Sequence, residues 1–171
     1  PGPIVTNLST STPNEAAAGR LRATVNRTAV GEAHVVARMK QVEAVLGGEG
    51  NGGVIDPAVH LGRDAAVAFA RLCEAEATHP GGLRALAAEF PPRYLSKEKL
   101  PVPTGGVDGL LPALRAVLQD PDDRTDGLRW TLPDGFVHVR PSGTEPVVRV
   151  IVEAATAEGA SDLLERLRKA L

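Results

Sequence analysis

Apolar residues in the first half of the chain follow two alternating spacings. Residues 4–8 and 21–25 are short runs rich in β-branched side chains, which predict strands. Over residues 30–42 the apolar positions recur at i, i+4 and i+7, the period of a helix. Two more short apolar runs, at residues 44–46 and 53–55, flank a glycine-rich turn. Strands that alternate with helices predict an α/β fold around a largely parallel sheet.

A further helix is predicted to begin at Asp64, a good N-cap residue that follows Gly62. Its apolar residues recur at i, i+3, i+4, i+7 and i+8: Ala65, Ala68, Phe69, Leu72 and Cys73. This spacing predicts one buried face. Cys73 is therefore interpreted as a small core residue rather than a nucleophile.

The pattern breaks at the sequence His-Pro-Gly-Gly that begins at His79. We place a linker over residues 81–92, which divides the chain into a first domain over residues 1–80 and a second over residues 93–171. The chain is therefore predicted to contain two modules.

The second module has a different order of elements. A strand over residues 93–100 precedes a helix with apolar positions across residues 107–118. Three closely spaced strands follow, and a helix capped by Thr156 ends the chain; the strands are predicted over residues 127–132, 135–140 and 147–154. Gly135 is expected to supply a positive φ in the turn between the first two of these strands. This order predicts an α+β module, an antiparallel sheet with helices on one face.

Composition excludes several classes of function. The formal charge is −2 and aromatic residues make up 3% of the 171 residues, so neither counterion release nor base stacking favours a nucleic-acid partner. No apolar run approaches the roughly 18–20 residues that span a bilayer. A single cysteine cannot form an internal disulfide. With no signal-peptide pattern after Pro1, we expect a cytoplasmic protein without membrane contacts.

The segment Arg-Pro-Ser-Gly-Thr-Glu-Pro, residues 140–146, lies between two predicted strands and concentrates groups that bind a phosphate dianion. Arg140 offers a planar guanidinium, Ser142 and Thr144 offer hydroxyl donors, and Gly143 allows a backbone N–H to approach closely. Arg149 follows on the returning strand. The alternative is a polar turn next to a strand-edge arginine.

Residues 47–53 contain five glycines, with Glu49 and Asn51 between them. A carboxylate and an amide can accept from and donate to adjacent sugar hydroxyls, while the glycines let the main chain approach a ligand. The segment is neither a Walker loop nor a dinucleotide-binding fingerprint, because the required flanking residues are missing. A mobile loop between two strands is the alternative.

No metal site is predicted. The acidic stretch over residues 120–126 cannot form an EF-hand loop, since Arg124 and Pro133 occupy ligand positions. It is interpreted as a solvated turn. None of the four histidines has the spacing of a ligand pair.

These two loops resemble those of the α-D-phosphohexomutases, the family of phosphomannomutase, phosphoglucomutase and phosphoglucosamine mutase. Residues 140–146 with Arg149 are similar to the family's phosphate-binding loop, and residues 48–53 to its sugar-binding loop. Residues 28–32 resemble the turn before that loop. The family's sugar loop commonly reads Gly-Glu-x-Ser-Gly-His, whereas here Asn51 replaces the serine and Gly53 replaces the histidine.

The resemblance covers most of the family's third domain and all of its fourth, and implies a three-layer α/β module with a mixed sheet followed by the α+β module. It implies that Glu49 and Asn51 hold sugar hydroxyls. The non-reacting phosphate is then held by Arg140, Ser142, Gly143, Thr144 and Arg149. The parent enzyme interconverts hexose 6-phosphate and hexose 1-phosphate through a hexose bisphosphate.

The family's phosphoserine loop and Mg²⁺ loop lie in its first two domains and have no counterpart here. The chain is therefore expected to bind hexose phosphates without turning them over, as a fragment of a longer mutase whose N-terminal domains complete the site. No catalytic residue is assigned within it. The alternative is a stand-alone, non-catalytic module that binds sugar phosphates.

Overall fold

A computed structural model describes residues 1–171, which divide into two compact units, Pro1–Pro92 and Arg93–Leu171. The N-terminal unit contains β1 (Ile4–Asn7), α1 (Pro13–Arg20), β2 (Val25–Thr28), α2 (Glu32–Val42), β3 (Leu46–Gly48), β4 (Val54–Ile55), α3 (Ala65–Thr78) and α4 (Gly82–Ala88). The C-terminal unit contains β5 (Tyr94–Pro101), a 3-10 turn (Val107–Leu110), α5 (Leu111–Arg115), β6 (Leu128–Leu132), β7 (Gly135–Pro141), β8 (Val147–Ala154) and α6 (Ala157–Ala170).

The N-terminal unit is built on a mixed four-stranded sheet in the order β2-β1-β3-β4. β1 pairs in parallel with β2 and β3, and the short strand β4 is antiparallel to β3. The amphipathic helix α2 packs Val35 and Met39 against Val5 and Ile55 of the sheet. This arrangement confirms the predicted α/β class and places the glycine-rich loop between β3 and β4.

The predicted strand at residues 21–25 is wrong at its start. The N–H groups of Leu21 and Ala23 both donate to the carbonyl of Ala18, and Arg22 has a φ of 52°. These residues therefore form the C-terminal turn of α1, a helix that the apolar pattern does not predict, and the strand begins only at Val25.

The helix predicted from Asp64 is confirmed. Asp64 is its N-cap, and the Asp64 carboxylate accepts hydrogen bonds from the N–H groups of Ala66 and Val67. The predicted burial of its apolar stripe is wrong. Phe69 is 68% exposed, Leu72 is 52% exposed, and Cys73 is also exposed. Among the helices and strands, α3 packs mainly against β4 and α4, and its apolar stripe remains largely uncovered. The segment predicted as a linker contains α4.

The C-terminal unit contains an antiparallel four-stranded sheet in the order β5-β8-β7-β6, as predicted. One face carries the core, in which Trp130, Val139 and Val150 pack against Leu114 of α5 and Leu167 of α6. The helix predicted over residues 107–118 is divided into a 3-10 turn and α5, which begins at Leu111 with Pro112 in its first turn.

Gly135 is required for a reason other than the one expected. Its φ is not positive. A Cβ at this position would instead lie 2.1 Å from the carbonyl oxygen of Glu153 on β8. Close packing between neighbouring strands, rather than turn geometry, therefore excludes larger residues there.

Candidate functional site

The glycine-rich loop connects β3 to β4 and packs tightly against its own unit. A Cβ at Gly48 would lie 2.8 Å from the carbonyl oxygen of Gly53, and one at Gly50 would lie 2.7 Å from that of Ser9. Two of the glycines are thus explained by main-chain contacts within the fold, and they hold the loop in one conformation. This packing of Gly48 and Gly50 does not favour the alternative interpretation of residues 47–53 as a mobile loop.

Glu49 lies at the start of this loop and is 8% exposed. Its Oε1 accepts hydrogen bonds from Asn7 Nδ2 at 3.0 Å and from the N–H of Gly31 at 3.1 Å. Its Oε2 lies 3.1 Å from Arg63 Nη1. Three donors surround a carboxylate that can accept about four hydrogen bonds, so its bonding capacity is not filled, while its side chain is only 4% exposed.

Asn51 occupies the tip of the loop and is exposed. Its Oδ1 accepts from the N–H of Gly53 at 3.1 Å, which leaves the amide Nδ2 free to donate. Asn51 and Gly53 line an open cleft of about 440 Å³ together with Glu32, Arg63 and Asp64. Three charged side chains and one amide thus face a cleft whose remaining lining is glycine, valine and alanine, and these polar groups can donate to or accept from hydroxyls.

Sequence reasoning did not identify Glu32 and Arg63 as site residues. Arg63 Nε donates to Glu32 Oε2 at 2.8 Å, and the Arg63 N–H donates to Oε1 at 3.2 Å. The hydrogen bond from the Arg63 side chain is the main reason that the pKa of Glu32 lies below its usual value. These residues are 31 positions apart, and no local pattern links them.

The second loop joins β7 to β8, and its cations lie in a row across the sheet. Arg140 and Arg149 are directly opposite each other on β7 and β8, and Lys99 on β5 is directly opposite Arg149. Residues opposite each other share one face of the sheet, and like charges there are destabilising unless an anion compensates them. The register therefore creates a basic row that the order of residues along the chain did not reveal.

Two carboxylates lie within this row. Arg140 Nε donates to Asp126 Oδ2 at 2.8 Å, and both side chains are largely buried. Glu145 lies 2.8 Å from Lys99 Nζ and 3.1 Å from Arg149 Nη2, and the hydrogen bond from Lys99 is the main cause that lowers the pKa of Glu145. The interpretation of residues 120–126 as a solvated turn is wrong for Asp126, which holds Arg140.

Several donors of this loop have no partner within the chain. The Oγ of Ser142 and the Nε of Arg149 are buried and form no hydrogen bond, although buried polar groups are usually paired. Gly143 and Thr144 are exposed, and a Cβ at Gly143 would meet nothing within 4 Å. The loop thus gathers unsatisfied donors beside three cations, which is the chemistry of an anion site.

No group of three or more His, Cys, Asp or Glu side chains is arranged to hold a metal ion. No helix has the length and apolar character needed to cross a membrane.

Comparison with protein families gives two matches. Residues 1–94 match the family model of phosphoglucomutase/phosphomannomutase alpha/beta/alpha domain III. Residues 99–170 match the model of the C-terminal domain of phosphoglucomutase/phosphomannomutase.

Relatives of known name are longer than this chain. A phosphoglucomutase/phosphomannomutase of Thermococcus kodakarensis is 36% identical over 167 residues, which cover 96% of this chain and 36% of that protein. A phosphoglucosamine mutase of Methanococcus aeolicus is 34% identical over 168 residues, which cover 95% of this chain and 37% of that protein. The chain thus spans little more than a third of the relatives that it matches.

Solved structures share the fold. A phosphoglucomutase/phosphomannomutase family protein of Burkholderia thailandensis superposes with a TM-score of 0.78 at 26% identity, over 99% of this chain and 37% of that one. N-acetylphosphoglucosamine mutase of Aspergillus fumigatus, solved with GlcNAc-6P and magnesium, superposes with a TM-score of 0.65 at 18% identity. The superposition covers 98% of this chain and 38% of that one.

Proposed function

The chain belongs to the phosphoglucomutase/phosphomannomutase family, of which it comprises domain III and the C-terminal domain, and we propose that it is the substrate-binding part of a phosphohexomutase. The complete enzyme interconverts hexose 6-phosphate and hexose 1-phosphate through a hexose bisphosphate. The observation that carries this proposal is the register of β7 and β8, which places Arg140 opposite Arg149 beside donors that have no partner in the chain.

The β7–β8 loop is proposed to hold the phosphate that does not react. Arg140 is oriented by Asp126 through Nε, which leaves both of its terminal nitrogens for phosphate oxygens. Ser142 Oγ, Thr144 Oγ and the N–H of Gly143 add neutral donors, and Arg149 adds a second guanidinium. A dianion bound there would interact with both guanidinium groups, each of which already has one carboxylate partner, Asp126 or Glu145.

The β3–β4 loop is proposed to hold the sugar. Glu49 would accept from a hydroxyl through Oε2, and Asn51 would donate through Nδ2 to a hydroxyl oxygen. Both groups are held by hydrogen bonds within the unit, so little conformational freedom is lost when a ligand binds. Binding energy from the sugar and the distant phosphate then positions the reacting end of the substrate.

The chemical step itself is proposed to depend on parts of the enzyme outside this chain. Phosphoryl transfer requires a nucleophile and neutralisation of the phosphate charge, and the family resemblance assigns these to a phosphoserine and to Mg²⁺. No group of three or more His, Cys, Asp or Glu side chains in residues 1–171 is arranged to hold a metal ion, and we assign no step here to magnesium. The chain alone is proposed to bind hexose phosphates and to be inactive.

Replacing Arg140 tests this function. In the full-length enzyme, Arg140→Ala should lower kcat/KM for hexose phosphates, because a charged contact to the anchoring phosphate is lost. The expected loss corresponds to about 2–4 kcal/mol of transition-state stabilisation. Steady-state kinetics with the 1-phosphates of glucose, mannose and glucosamine measures the effect. Arg115→Ala is the matched control, since Arg115 pairs with Asp120 and its side chain is 52% exposed. An unchanged kcat/KM in Arg140→Ala would contradict the proposed role, and binding without turnover by the full-length protein would favour a non-catalytic module.

A further inference from the structure

The side chain of Arg63 lies across the glycine-rich loop at Gly53. A Cβ at Gly53 would lie 2.3 Å from Arg63 Cδ and 3.0 Å from Cγ. Gly53 does not have a positive φ, so its backbone conformation is open to any residue. The glycine is therefore explained by the space that Arg63 occupies, at the position where the family's common motif has a histidine.

The guanidinium of Arg63 is held between two carboxylates that come from different elements. Glu32, at the N-terminus of α2, accepts from Nε at 2.8 Å, and Glu49 in the loop lies 3.1 Å from Nη1. Hydrogen bonding to Glu32 and the charge of Glu49 together raise the pKa of Arg63. The cation is consequently fixed in orientation, and it also restrains Glu49.

Arg63 nevertheless remains open to a ligand. Its side chain is 41% exposed, it lines the cleft next to Asn51, and its Nη2 makes no hydrogen bond within the chain. Glu49 itself is not among the residues that line the cleft. A hydroxyl-bearing ligand in the cleft therefore meets the guanidinium together with Asn51.

We propose that Arg63 is a substrate-contacting residue of the hexose site, and that it supplies a charged hydrogen-bond donor beside the sugar loop. Nη2 donates to a sugar hydroxyl oxygen, while Nη1 remains paired with Glu49. This role rests on the proposed function, since it assumes that the ligand of the cleft is a hexose phosphate.

Variants of Arg63 in the full-length protein test the role. Arg63→Ala should raise KM for hexose 1-phosphates by about tenfold to a hundredfold, because a hydrogen bond from a charged donor is lost. The inhibition constant of inorganic phosphate, which carries no sugar, should stay unchanged. Arg63→Lys should recover only part of the loss, because an ammonium cannot bridge Glu32 and Glu49 while also reaching the ligand.

Gly53→Ala gives an independent test that leaves Arg63 in the sequence. Its Cβ displaces the Arg63 side chain, so we expect the same rise in KM and the same unchanged phosphate inhibition. The double variant should be no worse than Arg63→Ala alone, because both changes remove one interaction. Gly19→Ala, whose Cβ meets nothing within 4 Å, and Arg115→Ala serve as controls.

The outcomes separate this inference from the proposed function. If wild-type protein neither binds nor converts the 1-phosphates of glucose, mannose and glucosamine, the proposed function fails. If wild type converts a hexose phosphate and Arg63→Ala retains its KM, the role of Arg63 is overturned. An equal loss of affinity for inorganic phosphate, or additive effects in the double variant, would also overturn it.

Discussion

Individual side chains at the candidate sites are oriented by partners that lie far away in the sequence. Asp126 holds Arg140 from 14 positions away, and Glu32 holds Arg63 from 31 positions away. In each pair a carboxylate accepts a hydrogen bond from the Nε of the guanidinium. Under the proposed function, Asp126 would therefore influence the affinity for phosphate through Arg140.

Asp126→Ala is expected to weaken phosphate binding although Asp126 is not itself a phosphate ligand. Without the hydrogen bond to its Nε, Arg140 loses its fixed orientation and its buried charge loses a partner. Competitive inhibition of the full-length enzyme by inorganic phosphate should weaken by about tenfold, the size of one charge-assisted hydrogen bond. Asp134→Ala, at an exposed position, should leave the inhibition constant unchanged, and a similar constant in both variants would contradict the role of Asp126.

Burial of the His138 side chain leads us to expect that the stability of the fold depends on pH. His138 is fully buried on β7, near Asp126, Arg129 and Arg140, and burial is the main cause that lowers its pKa below 6.5. The unfolded chain then binds more protons than the folded chain between the lowered pKa and 6.5. The free energy of unfolding should therefore fall as pH drops below about 6.5, by at most about 1.4 kcal/mol per pH unit.

Denaturant unfolding of wild type and His138→Gln between pH 5 and pH 7 measures this effect. The variant keeps a donor for the carbonyl of Asp126, which His138 Nε2 contacts at 2.7 Å, but it cannot titrate. Its free energy of unfolding should change less over this range. Parallel pH profiles of the two proteins would show that His138 does not cause the dependence.

At the scale of elements, the helix α3 shows that a helical period does not ensure burial. Its apolar stripe is exposed, and among the helices and strands α3 packs mainly against β4 and α4. Phe69→Ser is therefore expected to change the free energy of unfolding of the 171-residue chain by less than about 1 kcal/mol. Phe136→Ala, at a position with 0% exposure, should lower it by about 3–5 kcal/mol. Denaturant titrations compare the two variants, and equal losses would mean that α3 is covered after all.

Pairing between strands also decides which charges meet. Lys97 and Lys99 alternate with Glu98 along β5, and this order does not show which of the lysines lies opposite an arginine. The antiparallel register with β8 pairs Lys99 with Arg149. A shift of one residue would place Lys99 on the other face of the sheet, so the basic row depends on the register rather than on composition.

At the scale of the whole molecule, each unit has a core of its own. The ten buried apolar residues of the larger core all belong to the C-terminal unit, and those of the smaller core to the N-terminal unit. Residues 93–171 are therefore expected to fold when expressed alone. Cooperative thermal unfolding followed by circular dichroism, with dispersed amide signals in NMR, would confirm this; a non-cooperative transition would show that the unit needs residues 1–92.

Much of the architecture could be predicted from the chain alone because it depends on neighbours within a few residues. The strands β6, β7 and β8, the caps at Asp64 and Thr156, and the position of both loops between strands follow from local periodicity and turn chemistry. The family resemblance also rests on contiguous residues and is confirmed by the matches over residues 1–94 and 99–170. The cytoplasmic location and the roles of Glu49, Asn51 and the phosphate-loop residues stay predictions.

Other features could not be inferred locally, because they depend on which distant segments meet. The exposure of Phe69 and Cys73, the contact of Gly135 with Glu153, and the placement of Arg63 across Gly53 all depend on packing between elements. Periodicity shows that a helix has an apolar face, but a second layer is needed to bury it. Likewise, the sequence shows that an arginine is charged, but which carboxylate orients its guanidinium depends on the folded structure.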